Sequence, residues 1–221
     1  MKSLKTLLTC FMFFASIVVF GQSSATKSNA RIKKYDNYSR IFTGYNPLLL
    51  DKSVDNDESV HGWSMGYMHG FNITESQPWF IELGGTFVFN FKKLNEPTIT
   101  SSYTVATTVA TYRGYSLIVP VNLTYKISLG RSSVSLSPFA GFTFKGNLKA
   151  KEYIDNNSYD YFDKDLMGKD YKWKRFQAGW QAGINLDIDK FYIGLHYGFD
   201  INKISKGIHT SNWGATIGAK F

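Results

Sequence analysis

Cysteine is nearly missing from this chain: Cys10 is the single one among 221 residues. It falls in an N-terminal stretch expected to be cleaved, so the mature chain has no disulfide and no thiol chemistry. No long apolar run occurs beyond residue 20, which excludes a helical span of about 20 residues in the mature chain. No helical period of useful length occurs there either. No EF-hand spacing is present: Asp51, Asp55, Asp57 and Glu58 are acidic but wrongly spaced for that calcium loop. Metal, cofactor and redox chemistry therefore have no motif to stand on.

The N-terminus reads as a secretory signal over residues 1–21. Lys2 and Lys5 make a basic start, Leu7 to Phe20 an apolar stretch, and Gly21 a small residue at a cleavage point. Cys10 comes before most of that stretch, too early for a lipidation site. A polar segment, 22–38, follows, and a single domain, 39–221, completes the chain. Loss of Lys2 and Lys5 takes the net charge from +8 to +6. A basic surface suits the phosphates of outer-membrane lipid and lipopolysaccharide better than nucleic acid, and no nucleic-acid partner is expected.

The mature chain is rich in period-two alternation, the mark of strands with two unlike faces. From Phe191 to Asn202 every odd residue is apolar or aromatic, while the even ones are Tyr, Gly, His, Gly, Asp and Asn. Phe176 to Ile188 does the same on even positions. The segments around Trp63–Ile73, Trp79–Phe91, Tyr115–Ile127 and Val134–Leu148 repeat it, with a weaker one near Ser39–Pro47. The last strand, Asn212–Phe221, alternates without a fault. That makes eight. Short connections, 74–78, 129–132 and 189–190, alternate with long ones, 48–61, 92–114, 149–172 and 203–210. Eight strands with this alternation predict an all-β, eight-stranded antiparallel up-and-down transmembrane β-barrel, with both termini on the short-turn side, the periplasm.

A soluble barrel would show the same alternation with its apolar face inward. Here Trp, Phe, Leu and Ile crowd one face of nearly every strand, too bulky to converge inside eight strands. The other face is Gly, Ser, Asn and Gln. Aromatics make up 17% of the chain and gather near strand ends. Trp79, Tyr125, Phe191 and Phe221 fall at the short-turn side, and Trp63, Tyr115, Phe144 and Trp213 at the loop side. They are expected to form two interfacial girdles. Pro120 and Pro138 each remove a ladder donor and are expected at bulges or weakly paired positions. His69 is the one polar intruder in the lipid-facing register.

The inward charges are Arg40, Glu82, Lys126, Lys145, Arg175, Asp187, Asp200 and Lys220, expected to form a polar network filling the lumen. Neighbouring strands suggest two ion pairs, Arg175 with Asp200 and Glu82 with Lys126. Phe42, Phe80, Ile118, Phe139 and Tyr192 also point inward and should obstruct a channel. No catalytic arrangement emerges. His196 and Asp200 share a face but lie about 13 Å apart. His61 and His209 merely neighbour Ser59 and Ser211. The Lys-, Asp- and Tyr-rich stretch 149–172 reads as a solvated loop, with adhesion or partner binding as the sharper alternative.

The stretches Leu117–Lys126 (LIVPVNLTYK) and Ser137–Gly141 (SPFAG), the Gly21-Gln22 junction and the ending Ala215–Phe221 resemble the eight-stranded outer-membrane β-barrel domain proteins of Bacteroidota, the PorT/OmpX-like group. The resemblance covers about 39–221. It implies location in the outer membrane and makes Phe221 a C-terminal insertion signal read by the barrel-insertion machinery. It also leaves open an envelope protein partner, as in a secretion machine. The expected protein is a monomer without enzymatic activity and with a structural or interaction role, a narrow gated channel and a lipid-modifying enzyme being the rival readings.

Overall fold

The computed structural model describes residues 35–52, 58–74, 76–99, 105–129, 133–154 and 157–221. The expected signal, 1–21, and most of the polar segment lie outside them. So do Asp55 and Asp57.

Eleven strand segments make one antiparallel sheet. They are β1 Tyr38–Tyr45, β2 Leu48–Lys52, β3 Glu58–Asn72, β4 Trp79–Ile99, β5 Val105–Tyr125, β6 Ile127–Ser128, β7 Val134–Ile154, β8 Asn157–Asp160, β9 Phe176–Ile188, β10 Phe191–Asp200 and β11 Ile208–Lys220. One short helix occurs among the described residues, α1, spanning Lys164–Met167. Eight of the segments close a ring in chain order, because β1 pairs with both β3 and β11. Phe221 and Ser39 seal that seam with two backbone hydrogen bonds of 2.7 and 2.9 Å. Closure leaves no open edge, which is what hydrocarbon demands of a sheet.

The three extra segments are continuations. β2 carries on from β1 in the same register, so Tyr45 faces Trp63 and Leu48 faces Val60. The break falls at Pro47, which has no N–H to donate. β6 prolongs β5 and β8 prolongs the β7 hairpin.

Both mid-strand prolines stand at gaps. Pairing of β4 with β5 skips from Leu83–Val121 to Thr86–Ile118, leaving out Pro120. On β7, Pro138 faces the break between β5 and β6. Asp189 and Lys190 join Ile188 to Phe191 in a two-residue turn, with Asp189 at φ 55°, a left-handed conformation that Asp tolerates.

Two long connections differ from the sequence expectation. The stretch 92–114 is mostly ladder: β4 and β5 run on, paired from Lys92–Tyr112 to Ile99–Val105. The stretch 149–172, expected to be a solvated loop, holds the end of β7, β8 and α1, and then folds back. Polar composition hid both, because extended hairpins beyond a membrane need no apolar face.

The barrel is inside out. Buried positions are mostly polar: Ser64, Thr86, Asn90, Asn122, Thr124, Ser137, Gln177, Asn185 and Thr216 among others. Large apolar side chains stand outside on the same strands, Phe191 at 73% exposure and Trp63 at 56%. A soluble barrel would reverse this.

Candidate functional site: a lumen closed at both ends

Three close ion pairs organise the interior among the described residues, and all three skip a strand. Arg40 on β1 pairs with Glu82 on β4, across β3. Lys145 on β7 pairs with Asp200 on β10, across β9. Lys220 on β11 reaches Asp187 on β9, across β10, at 2.8 Å. Glycine on the bridged strand clears space beside two of these. Gly70 sits in register between Tyr38 and Glu82, and a Cβ there would fall 2.5 Å from the Tyr38 ring. Gly179 sits between Thr143 and Asp200, and a Cβ there would fall 2.9 Å from the Asp200 carboxylate.

The sequence-based pairings are corrected accordingly. Glu82 does not pair with Lys126. Its carboxylate takes Arg40 and the Tyr38 hydroxyl. Lys126 instead lies 4.0 Å from Asp187. Arg175 does not pair with Asp200 and does not enter the lumen. It is exposed just before β9, donates to the Leu148 carbonyl at 3.3 Å and stacks 4.2 Å over the Phe162 ring. Adjacent-strand reasoning failed because long side chains inside the ring reach over the neighbouring strand to the second one.

The short-turn end is a charged plug. Arg40 and Glu82 are 2% and 0% exposed. The guanidinium also lies 4.6 Å over Tyr192, and Lys220 lies 5.0 Å from the Tyr38 ring. Phe80 packs on Tyr38 at 5.0 Å. Higher up, Asp200 accepts from Thr210 as well as Lys145. Gln177 donates to Thr210 at 2.7 Å, and Asn147 to Gln177 at 3.0 Å. Between the ends is a cavity of about 80 Å³ lined by Phe42, Ile118, Phe139, Tyr192 and His196 among others. That is room for a few waters.

The long-loop end is closed differently, by an apolar cap that the sequence pattern did not reveal. Trp173, Tyr112, Ile204, Leu50, Val60 and Ala150 cluster there, with Tyr161 and Phe162 packed against them. Tyr161 and Trp173 stack at 4.6 Å, and Tyr112 lies 5.8 Å from Trp173. Backbone bonds dock the returning segment: Tyr161 to Ala150 at 3.0 Å, Trp173 to Tyr161 at 2.7 Å, and Lys174 to Ile204 at 2.8 Å. The Tyr161 phenol is pushed well above its ordinary range, first by burial and then by the Glu152 carboxylate it donates to. The only available signal was an isolated Trp in a polar stretch.

Outside, the rings form two bands. Trp79 and Tyr125 touch at 4.7 Å near the short turns, where exposed Phe191 and Phe221 also stand. Near the loops Tyr45 bridges Trp63 and Trp213 at 5.9 and 5.5 Å. Tyr115 stacks on Phe89 at 5.2 Å, and Phe144 lies 6.5 Å from Phe176. His69 bonds Ser39 at 2.8 Å on this outer face, and among the described residues no carboxylate bonds its ring. Glu58 holds Lys92 at 2.6 Å, and no cluster of potential metal ligands occurs among the described residues.

A closed ring with polar filling, apolar walls and two aromatic bands is the architecture of an outer-membrane β-barrel. Residues 86–206 match the family described as outer membrane protein beta-barrel domain, and the chain belongs to that family. Among solved structures it is similar to Ail, the attachment invasion locus protein of Yersinia pestis. The two share 17% identity with a TM-score of 0.51, over 85% of this chain and all of that one. It is also similar to neisserial surface protein A, at 12% identity and TM-score 0.45, over 84% and 97%, and to the outer membrane enzyme PagL, at 9% and 0.42, over 78% and 97%. Such likenesses speak to fold alone. No curated protein matches the chain.

Proposed function

We propose that this outer-membrane barrel is a monomeric, non-enzymatic interaction protein of the PorT/OmpX-like group that presents its long-loop end outside the cell. Both termini then lie in the periplasm, and Phe221 serves the insertion machinery. The observation that carries this reading is the double closure of the lumen. A charged plug at one end and an aromatic cap at the other obstruct the lumen among the described residues, so the material above the girdle is the part with something to offer. That material is built: a projecting β4–β5 hairpin and a docked β7–β9 segment.

An enzyme would need a positioned nucleophile and base at one rim. Ser39 and His69 are bonded, but among the described residues no carboxylate orients the ring, which counts against a lipid-modifying role. An envelope or secretion complex remains the second reading, supported by the size of the projecting hairpin.

Two measurements test the proposal. A tag placed between Asp163 and Gly168 is expected to bind antibody on intact cells; recognition only after permeabilisation would reverse the orientation. In-cell crosslinking is expected to recover the barrel with lipid alone. A stoichiometric envelope protein would transfer the assignment to the machine-subunit reading.

A further inference from the structure

One wall of the barrel carries cations on its lipid-facing side, at the upper edge of the aromatic band. The cause is a β-bulge. Pairing of β5 with β7 runs Ser116–Asn147 and then Tyr115–Lys149, so Leu148 is an extra residue. A bulge re-aims every side chain beyond it. Before it, β7 turns Lys145 and Asn147 inward. After it, Ala150 and Glu152 turn inward, where Ala150 joins the cap and Glu152 takes the Tyr161 hydroxyl. Lys149, Lys151 and Tyr153 are thereby turned outward.

Register sets their height. Lys149 is opposite Tyr115 and Lys151 opposite Arg113, which in turn faces Phe91. Lys93 is two residues, roughly 7 Å of strand, beyond Phe91. Four cations thus climb in step from the ring band. Rings steady them: Lys149 lies 5.6 Å from both Tyr115 and Tyr153, and Arg113 5.4 Å from Tyr153. One carboxylate is near, Asp160 at 3.5 Å from Lys151. The opposite wall differs. Above Trp63 and Trp213 its outward residues are His61, Ser59, Asp51 and His209, with no Lys or Arg among them.

We infer that Lys93, Arg113, Lys149 and Lys151 form a docking shelf for the phosphate groups of an outer-leaflet lipid. The shelf rests on the orientation proposed above, with the long-loop end outside. A soluble partner approaches from above, but these side chains point sideways at headgroup depth, where lipid phosphates lie. The bulge spends a register irregularity to place them there.

The test uses the full-length mature chain refolded in detergent micelles, with native mass spectrometry counting bound lipid. The probes are bis-phosphorylated lipid A, its dephosphorylated counterpart and inorganic phosphate. Wild type is expected to bind the phosphorylated lipid and not the dephosphorylated one. Combined Lys93→Glu, Arg113→Glu, Lys149→Glu and Lys151→Glu should weaken binding by about tenfold or more. A control carrying Lys172→Glu, Lys203→Glu and Lys206→Glu on the other loops should bind as wild type. Undiminished binding by the shelf variant, or equal loss in the control, overturns the inference. So does full displacement by inorganic phosphate, which would mark a free-anion site. If the charge-reversed chain does not fold, the neutral pair Arg113→Gln and Lys149→Gln takes its place. A wild-type chain that forms no heat-resistant barrel indicts the barrel reading itself, not the shelf.

Discussion

The two ends of the lumen are shut by opposite chemistries. At the short-turn end, strand residues close it with charge: Arg40 on Glu82 and Lys220 on Asp187. At the long-loop end, a segment returning from outside the barrel closes it with Trp173 and its aromatic neighbours. The plug is part of the staves and cannot leave without unfolding them. The returning segment that carries Trp173 hangs on a few backbone bonds and its packing on strand residues, and is separable from the staves. One end is thus a matter of global stability and the other of local order.

The largest effect should come from breaking the plug. Glu82→Ala strands a buried guanidinium and is expected to cost about 3–5 kcal/mol, read as a lower urea midpoint in vesicles. Exchanging both partners, Arg40→Met with Glu82→Leu, should return most of that loss. If the single change is silent, the plug is not structural. Trp173→Ala should do the reverse. Its cost, about 3 kcal/mol by analogy with other buried aromatics, is expected to appear as faster proteolysis within 157–175. The barrel's own midpoint should stay within about 0.5 kcal/mol. A parallel fall of both would mean that cap and barrel unfold as one.

Gly179→Ala sharpens the comparison from within the staves. Its Cβ would press on the Phe199 carbonyl as well as on Thr143 and Asp200, so a loss of about 1–3 kcal/mol is expected, of which shortening Asp200 should return only a part. The smallest effect is a pH response confined to the cap. Burial raises the Tyr161 phenol above its ordinary value of 10.0. Its contribution is therefore complete below pH 10, and drains away as pH rises through the folded-state value. Ultraviolet titration should show a late tyrosinate component that Tyr161→Phe removes. An unchanged curve would place that phenol in solvent.

This contrast also explains what was legible in the sequence. Period-two patterning announced the staves, and rings such as Trp63 and Phe191 said which face was out. Inward charges such as Arg40, Asp187 and Lys220 could be read from parity alone. Their partners could not, because each pairing reaches over an intervening strand to the one beyond it, which parity does not encode. The cap was illegible for another reason. Trp173, Ile204 and Tyr112 meet from three separate segments, and no periodicity links them. Arg175 was misplaced by parity carried one residue beyond the start of β9.

The extra residue in β7 works as a phase shifter. It exchanges the two faces for everything after it on that strand, so the filling of the cap and the outward lysines are set by one event. Removing Leu148 would leave an unbroken alternation, Asn147 inward, Lys149 outward and Ala150 inward, still opposite Ser116, Tyr115 and Gly114, so both the cap filling and the outward lysines would keep their sides. The bulge is therefore the place where this strand absorbs a single-residue change in length, whereas the same change elsewhere on it, with the pairing kept, is a change of side, not of size.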